Sequence, residues 1–273
     1  MKQITSRART GLLAMLLLVV CLWLPWLRWM ISVIVLILGF IGIREYYRMG
    51  TNIGIHNSEP FAIAAALALV IAGTVPPDSF RGLIISAILV IVVGAYFVHM
   101  SKFASEGAYT LVPIAVFGPL YVGVPLALSL QVMQADRVFL MFGLLLVWLS
   151  DIGAYYAGRK YGEHKLAPRL SPKKTVEGAI GGLLACLLVG LIFKALVPYA
   201  AFEYSWSEVF VMAIIVGLVA PCGDLAESIL KRDTGIKDSG HGMGGHGGVL
   251  DRIDSLLFCF PAMYLFLLAT GRL

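Results

Sequence analysis

Two regions of this 273-residue chain carry residues whose types and spacing could do chemistry. Asp224, Glu227 and Lys231 stand at i, i+3 and i+7, so a helix through them presents two carboxylates and an amine on one face. Asp251 and Asp254 repeat the i, i+3 spacing at the start of the last apolar run. Asp151 and Asp224 each follow apolar stretches, and an ionisable residue within a span is costly and suggests function. Two acid pairs on neighbouring helix ends make an oxygen-rich site for a hard cation such as Mg²⁺. That ion is commonly held by one or two carboxylates plus substrate phosphates, which suits phosphoryl transfer. A plainer account of the same acids pairs Asp251 with Arg252 or uses it as a helix cap, and pairs Glu227 with Lys231. Both accounts stay open on the residues alone.

Glycine and basic residues surround these acids. Gly240 to Gly248 holds six glycines in nine residues, and glycine lets a backbone approach a ligand closely. Followed by a helix start, such a stretch can aim N–H groups at a phosphate. It is not a Walker A loop, since no Gly-Lys-Ser/Thr follows. A floppy connector is the simpler reading, but the flanking Lys231-Arg232, Lys237-Asp238 and Asp251-Arg252 argue for a site. His241 and His246 have no third His or Cys nearby, which argues against zinc and leaves His246 as a hydrogen-bond donor to phosphate or a proton carrier. His56, His99 and His164 sit at loop edges and read as solvated. Upstream, Lys173-Lys174-Thr175-Val176-Glu177-Gly178 lies where a helix should begin, with Ser171-Pro172 or Thr175 as its cap. Two lysines at that positive helix end suit a phosphate-rich ligand.

The elements that must position these residues are membrane helices. The chain is 59% apolar and 14% charged, with a mean hydropathy of +0.88. A soluble domain carries about 25% charged residues, so a soluble enzyme, a disordered chain and a secreted disulfide scaffold are all excluded. The four cysteines stand singly, as small apolar residues within helices. The pattern predicts an all-α, polytopic membrane protein with nine apolar segments at roughly 11–27, 29–43, 61–75, 82–98, 111–130, 138–157, 176–197, 208–230 and 252–270. The first two form a hairpin, and the first is a retained anchor rather than a cleaved signal. With the N-terminus in the cytoplasm, 16 of the 21 Lys and Arg fall inside and only Arg28, Arg81, Arg137, Lys194 and Arg272 outside. Pro113, Pro119 and Pro125 predict a kinked or broken fifth segment. Gly178, Gly182, Cys186 and Gly190 give the seventh a small-residue stripe, for a dimer or for packing within the chain. Residues 1–147 read as a transmembrane scaffold, and 148–273 as a catalytic region with two cytoplasmic polar loops.

The second polar region matches a pattern. Ser228-x-Leu230-Lys231-Arg232, then Lys237-Asp238, then His246-Gly247-Gly248-Val249-x-Asp251-Arg252-Ile253-Asp254 closely resembles the signature of phosphatidate cytidylyltransferases (CDP-diacylglycerol synthases). Gly223-Asp224-Leu225-x-Glu227-Ser228 and Ser171-Pro172-Lys173-Lys174-Thr175-x-Glu177-Gly178 also look like family features. The resemblance covers about residues 148–270, with Cys222 as one departure; over 1–147 it is only general hydrophobicity.

The resemblance implies transfer of the cytidylyl group of CTP to phosphatidate, releasing pyrophosphate, with Mg²⁺ alone or with a second cation. It implies Asp224 and Asp251 as the first metal ligands, joined by Asp254 and Glu227. Asp224, Asp251, Asp254, Lys231, Arg232 and Lys237 would form the catalytic group, with Lys231, Arg232, Lys237 and Arg252 on phosphates. Lys173 and Lys174 would reach CTP or the lipid phosphate, beside Thr175, Glu177, Ser228, Asp238, Gly247 and Gly248. His246 would hydrogen-bond the nucleotide, and Asp151 would orient a lysine or a water. The expected setting is a bacterial inner membrane with the site facing the cytoplasm, a homodimer, and no nucleic-acid partner. A cation-coupled transporter would need polar residues in both halves of the membrane, and an intramembrane aspartyl protease would leave the basic, glycine-rich region unexplained.

Overall fold

The computed structural model describes residues 20–55, 59–103, 106–240 and 247–273. Long helices dominate: α1 (Arg28–Thr51), α2 (Glu59–Ala72), α3 (Pro77–Phe103), α4 (Ala108–Ala135) and α5 (Arg137–Tyr161), then α6 (Val176–Leu196), α7 (Trp206–Asp233) and α8 (Leu250–Ala269). All but α2 are long and apolar enough to cross a bilayer, which makes seven such helices among the described residues. The expected segment at 11–27 lies mostly outside those residues. The segment at 61–75 is corrected to a 14-residue helix, about 21 Å long at 1.5 Å per residue and short of a ~30 Å hydrocarbon core. Its carbonyl end is completed by side chains of α4. Gln131 donates to the carbonyls of Gly73 (2.9 Å) and Val75 (2.7 Å), and Gln134 donates to Gly73 (2.8 Å). Those donors satisfy groups that water cannot reach inside lipid.

Other expectations also change. The fifth segment is neither split nor interrupted: α4 runs through Pro113, Pro119 and Pro125 as a single helix of 28 residues. Its small residues let neighbours press close, with Tyr46 and Tyr47 of α1 against Gly118 and Ala66 of α2 against Gly123. His99, expected to be solvated at a loop edge, is buried and lies within α3, which continues past it to Phe103. Cys21, Cys186 and Cys259 are buried as small apolar residues, whereas Cys222 is exposed.

The small-residue stripe of α6 serves packing within the chain. Its buried residues are Gly178, Gly182, Cys186, Gly190 and Phe193. Gly182 faces Ser150 and Ala154 of α5, and Gly190 faces Val209 and Ala213 of α7. The opposite face exposes Ile180, Leu184 and Leu188, as α3 exposes Ile85, Leu89 and Val93. Bare apolar faces of this kind are suited to lipid. Among the described residues the β-structure is one hairpin, β1 (Lys165–Ala167) antiparallel to β2 (Ser171–Thr175), with Lys165 opposite Thr175.

The two chain-end charge groups separate in space. Contacts of Glu45 with Leu250, Lys174 with Asp224 and Arg232 with Leu170 gather at one end of the bundle. At the other end Arg272 meets Glu208, and Arg81 donates to the Leu273 carbonyl. Between α7 and α8 the crossing is tight at Gly223, where a Cβ would sit 2.5 Å from the Asp254 carbonyl oxygen and 2.8 Å from the Ser255 Cα. Gly223→Val is therefore expected to cost about 1–3 kcal/mol by overpacking. A thermal melt of the detergent-solubilised protein reads the loss, and an unchanged melting temperature would contradict the close crossing.

Candidate active site

The site begins at the hairpin. Thr175 caps α6, its hydroxyl accepting from the Gly178 N–H at 3.1 Å. Glu177 turns back on the strand entry, accepting from the N–H groups of Glu163 and His164 (3.2 Å each) and pairing with His164 Nδ1 at 2.6 Å. Thr175 and Glu177, both expected to touch substrate, are thus engaged in holding the hairpin and the helix start. Lys173 is exposed. Lys174 reaches across to α7, where its Nζ lies 2.7 Å from Asp224 Oδ2 and donates to the Pro221 carbonyl at 3.4 Å. Arg232 ties the far side of the hairpin down by donating from Nε to the Leu170 carbonyl at 3.1 Å.

The predicted face of α7 forms. Ser228 donates to Asp224 Oδ1 at 3.4 Å, and Lys231 Nζ sits 2.7 Å from Glu227 Oε2 and 2.6 Å from Asp251 Oδ1. Glu227 is fully buried and its Oε1 has no hydrogen-bond partner. Asp251 uses its second oxygen, Oδ2, to accept from the Gly248 N–H (2.7 Å), the Ser239 N–H (3.0 Å) and the Ser239 hydroxyl (3.0 Å). The pairing and capping account of Glu227 and Asp251 therefore describes the structure, except that Asp251 takes Lys231 rather than Arg252. Asp254 is buried, and both it and Asp151 of α5 lie within the electrostatic reach of Asp224. Arg252, Lys237 and Asp238 are exposed, Gly247 adopts a left-handed φ of 82°, and His246 lies outside the described residues.

These placements bear on a cation. Among the described residues no three acids or histidines converge into a metal-binding group, because Lys174 lies on Asp224 and Lys231 stands between Glu227 and Asp251. The donor chemistry still fits an ion completed by substrate phosphates: Asp224 is partly exposed, Asp254 is near it, and Glu227 has an unused buried oxygen.

Two residues of this network lie outside the sequence expectation. Ser239 joins Asp251 directly, and Glu45 of α1, buried at 7% exposure, accepts from the N–H groups of Val249 and Leu250 at the head of α8. Glu45 sits just past the expected end of the second apolar segment. An acid so close to a span was the available signal.

A helical membrane bundle with lysines paired to acids at one end, beside a basic hairpin, defines a membrane protein equipped for anionic substrates. The chain belongs to the cytidylyltransferase family, whose model matches residues 5–270. It is 34% identical over 243 residues to a phosphatidate cytidylyltransferase of Staphylococcus epidermidis, covering 86% of this chain and 88% of that one. Over 163 residues it is 39% identical to the Staphylococcus saprophyticus protein of that name, a match that spans 60% of each chain. Over 144 residues it is 46% identical to the Brucella suis protein, where the match spans about half of each, 51% and 52%.

Lys231 is the counter-charge that the buried acids depend on. Removing one partner of a buried ion pair costs about 3–5 kcal/mol. Lys231→Met is expected to lower the denaturation midpoint accordingly, and adding Glu227→Leu should recover part of the loss. A single variant as stable as the parent would show that the acids do not need the lysine.

Proposed function

We propose that the charged end of the bundle transfers the cytidylyl group of CTP to phosphatidate, giving CDP-diacylglycerol and pyrophosphate for phospholipid synthesis. The observation that carries this reading is the pair of lysine bridges, Lys174 to Asp224 and Lys231 to Glu227 and Asp251, within a chain of this family. A phosphate oxygen of phosphatidate attacks the α-phosphorus of CTP, the bond to the bridging oxygen breaks, and pyrophosphate leaves. The nucleophile is already ionised, so no strong base is required. The difficulty is bringing two anions together, and catalysis is mainly positioning and charge stabilisation.

Each side chain has a part in that task. Lys174 and Lys231 are held by carboxylates in directions fixed by the fold, while Lys173, Arg232, Lys237 and Arg252 offer exposed positive charge to phosphates. Ser228 lies on Asp224, Asp151 is within the electrostatic reach of Lys174, and Asp238 follows Lys237 in the exposed loop. Mg²⁺, alone or with a second cation, would be held by Asp224 and Asp254, with Glu227 and Asp251 alongside. When bound it would supply further charge against the triphosphate. The bias of 16 basic residues against five supports a cytoplasmic N-terminus and a site facing the cytoplasm of a bacterial inner membrane. There CTP arrives from water and phosphatidate from the bilayer. The protein acts as a homodimer in this reading.

Purified protein given CTP, phosphatidate and Mg²⁺ is expected to release pyrophosphate and form a nucleotide-linked lipid. Folded protein that forms neither would reject the reading. Asp251→Asn should abolish turnover with expression retained, since an amide cannot hold Lys231 and accept from three donors in the same way. Full activity in that variant would remove Asp251 from the catalytic group.

A further inference from the structure

We propose that Glu45 is a positioning residue for this reaction, a carboxylate on α1 that holds the head of α8 and, through Ser239, the Asp251–Lys231 pair. The inference rests on the functional reading above. Helix α8 opens at Val249, whose side chain provides no cap. The cap comes instead from 204 residues upstream: Glu45 Oε1 accepts from the Val249 N–H at 3.0 Å. Its Oε2 accepts from the Leu250 N–H at 2.7 Å and lies 3.1 Å from the Ser239 hydroxyl, whose single proton it shares with Asp251 Oδ2. A negative charge at a helix N-terminus meets both the unpaired N–H groups and the positive end of the helix dipole.

The surroundings are shaped to this carboxylate. A Cβ at Gly240 would lie 2.9 Å from Glu45 Cδ, and one at Gly248 would lie 2.5 Å from Glu45 Oε2. Both ends of the glycine-rich segment are thus pressed against one acid. Ser239 also touches Asp251 Oδ2, the oxygen that shares the Gly248 N–H, while Asp251 Oδ1 holds Lys231. Glu45 is fixed in its turn by its neighbours Tyr46 and Tyr47, which pack on Gly118 of α4, where Tyr47 also donates to the Ile114 carbonyl at 3.1 Å. A shift of α1 or loss of the carboxylate therefore turns the first turn of α8 and misdirects Lys231, without touching substrate.

The test compares full-length wild type, Glu45→Gln and Glu45→Asp in lipid nanodiscs with CTP, phosphatidate and Mg²⁺. Glu45→Gln is expected to lose roughly ten- to hundredfold in kcat, as misplacement at a distance does, with KM for CTP changed less than about threefold. Ser239→Ala added to Glu45→Gln should cost little more, because residues in one network do not act additively. Glu45→Asp keeps the charge but falls a methylene short. It is expected to fold and still lose kcat, which decides the matter if the amide variant does not fold. Wild-type kcat in either folded variant, a loss that only tracks the folded fraction, or fully multiplicative losses in the double variant would overturn the proposal. Wild type that forms no CDP-diacylglycerol in the same experiment would instead overturn the functional reading.

Discussion

Everything at the charged end of this protein depends on giving carboxyl groups partners where little water reaches them. Glu227 is wholly buried and Asp251 partly so, and a carboxyl group in such surroundings needs a positive charge or hydrogen-bond donors beside it. Lys231 meets both at once, one helical turn from the first and across a helix crossing from the second. The close approach of α7 to α8 at Gly223 makes that bridge possible. Lys174 plays the same part for Asp224 from the hairpin. Two ammonium groups are thereby set in fixed directions at the end of an apolar bundle, where a phosphate ester carried by a lipid could meet them.

How much of this was legible in the residues follows from the range of the interactions. The helices were readable because hydropathy is a local property, and seven of the expected spans reappear, although α1 runs eight residues past the expected end at 43. Segment 61–75 had nearly its observed length, but composition alone could not show that so short a helix has its end carbonyls met by Gln131 and Gln134 of another helix. The prolines of α4 pointed to a kink or a break, and of the two the break is absent, since the helix is continuous through all three. The i, i+3, i+7 face of α7 was legible for the same reason the spans were. Its partners were not, because Lys174 and Asp251 come from different segments and only the fold decides which acid each base meets.

The region 171–178 shows the limit in another way. Its charges and its helix cap were both apparent, but the bonds that Glu177 accepts from Glu163 and His164 were not, because those donors come from the other side of the hairpin. The hairpin itself escaped notice because strands of three and five residues carry almost no periodic signal.

The bond between Glu45 and Leu250 also has a meaning in time. A ribosome makes the carboxylate early and its amide partners 205 residues later. Until α8 emerges, the acid on α1 has no helix to hold, and Lys231 has no Asp251. A chain that ends before α8 therefore lacks both the helix that Glu45 holds and the acid that fixes the direction of Lys231.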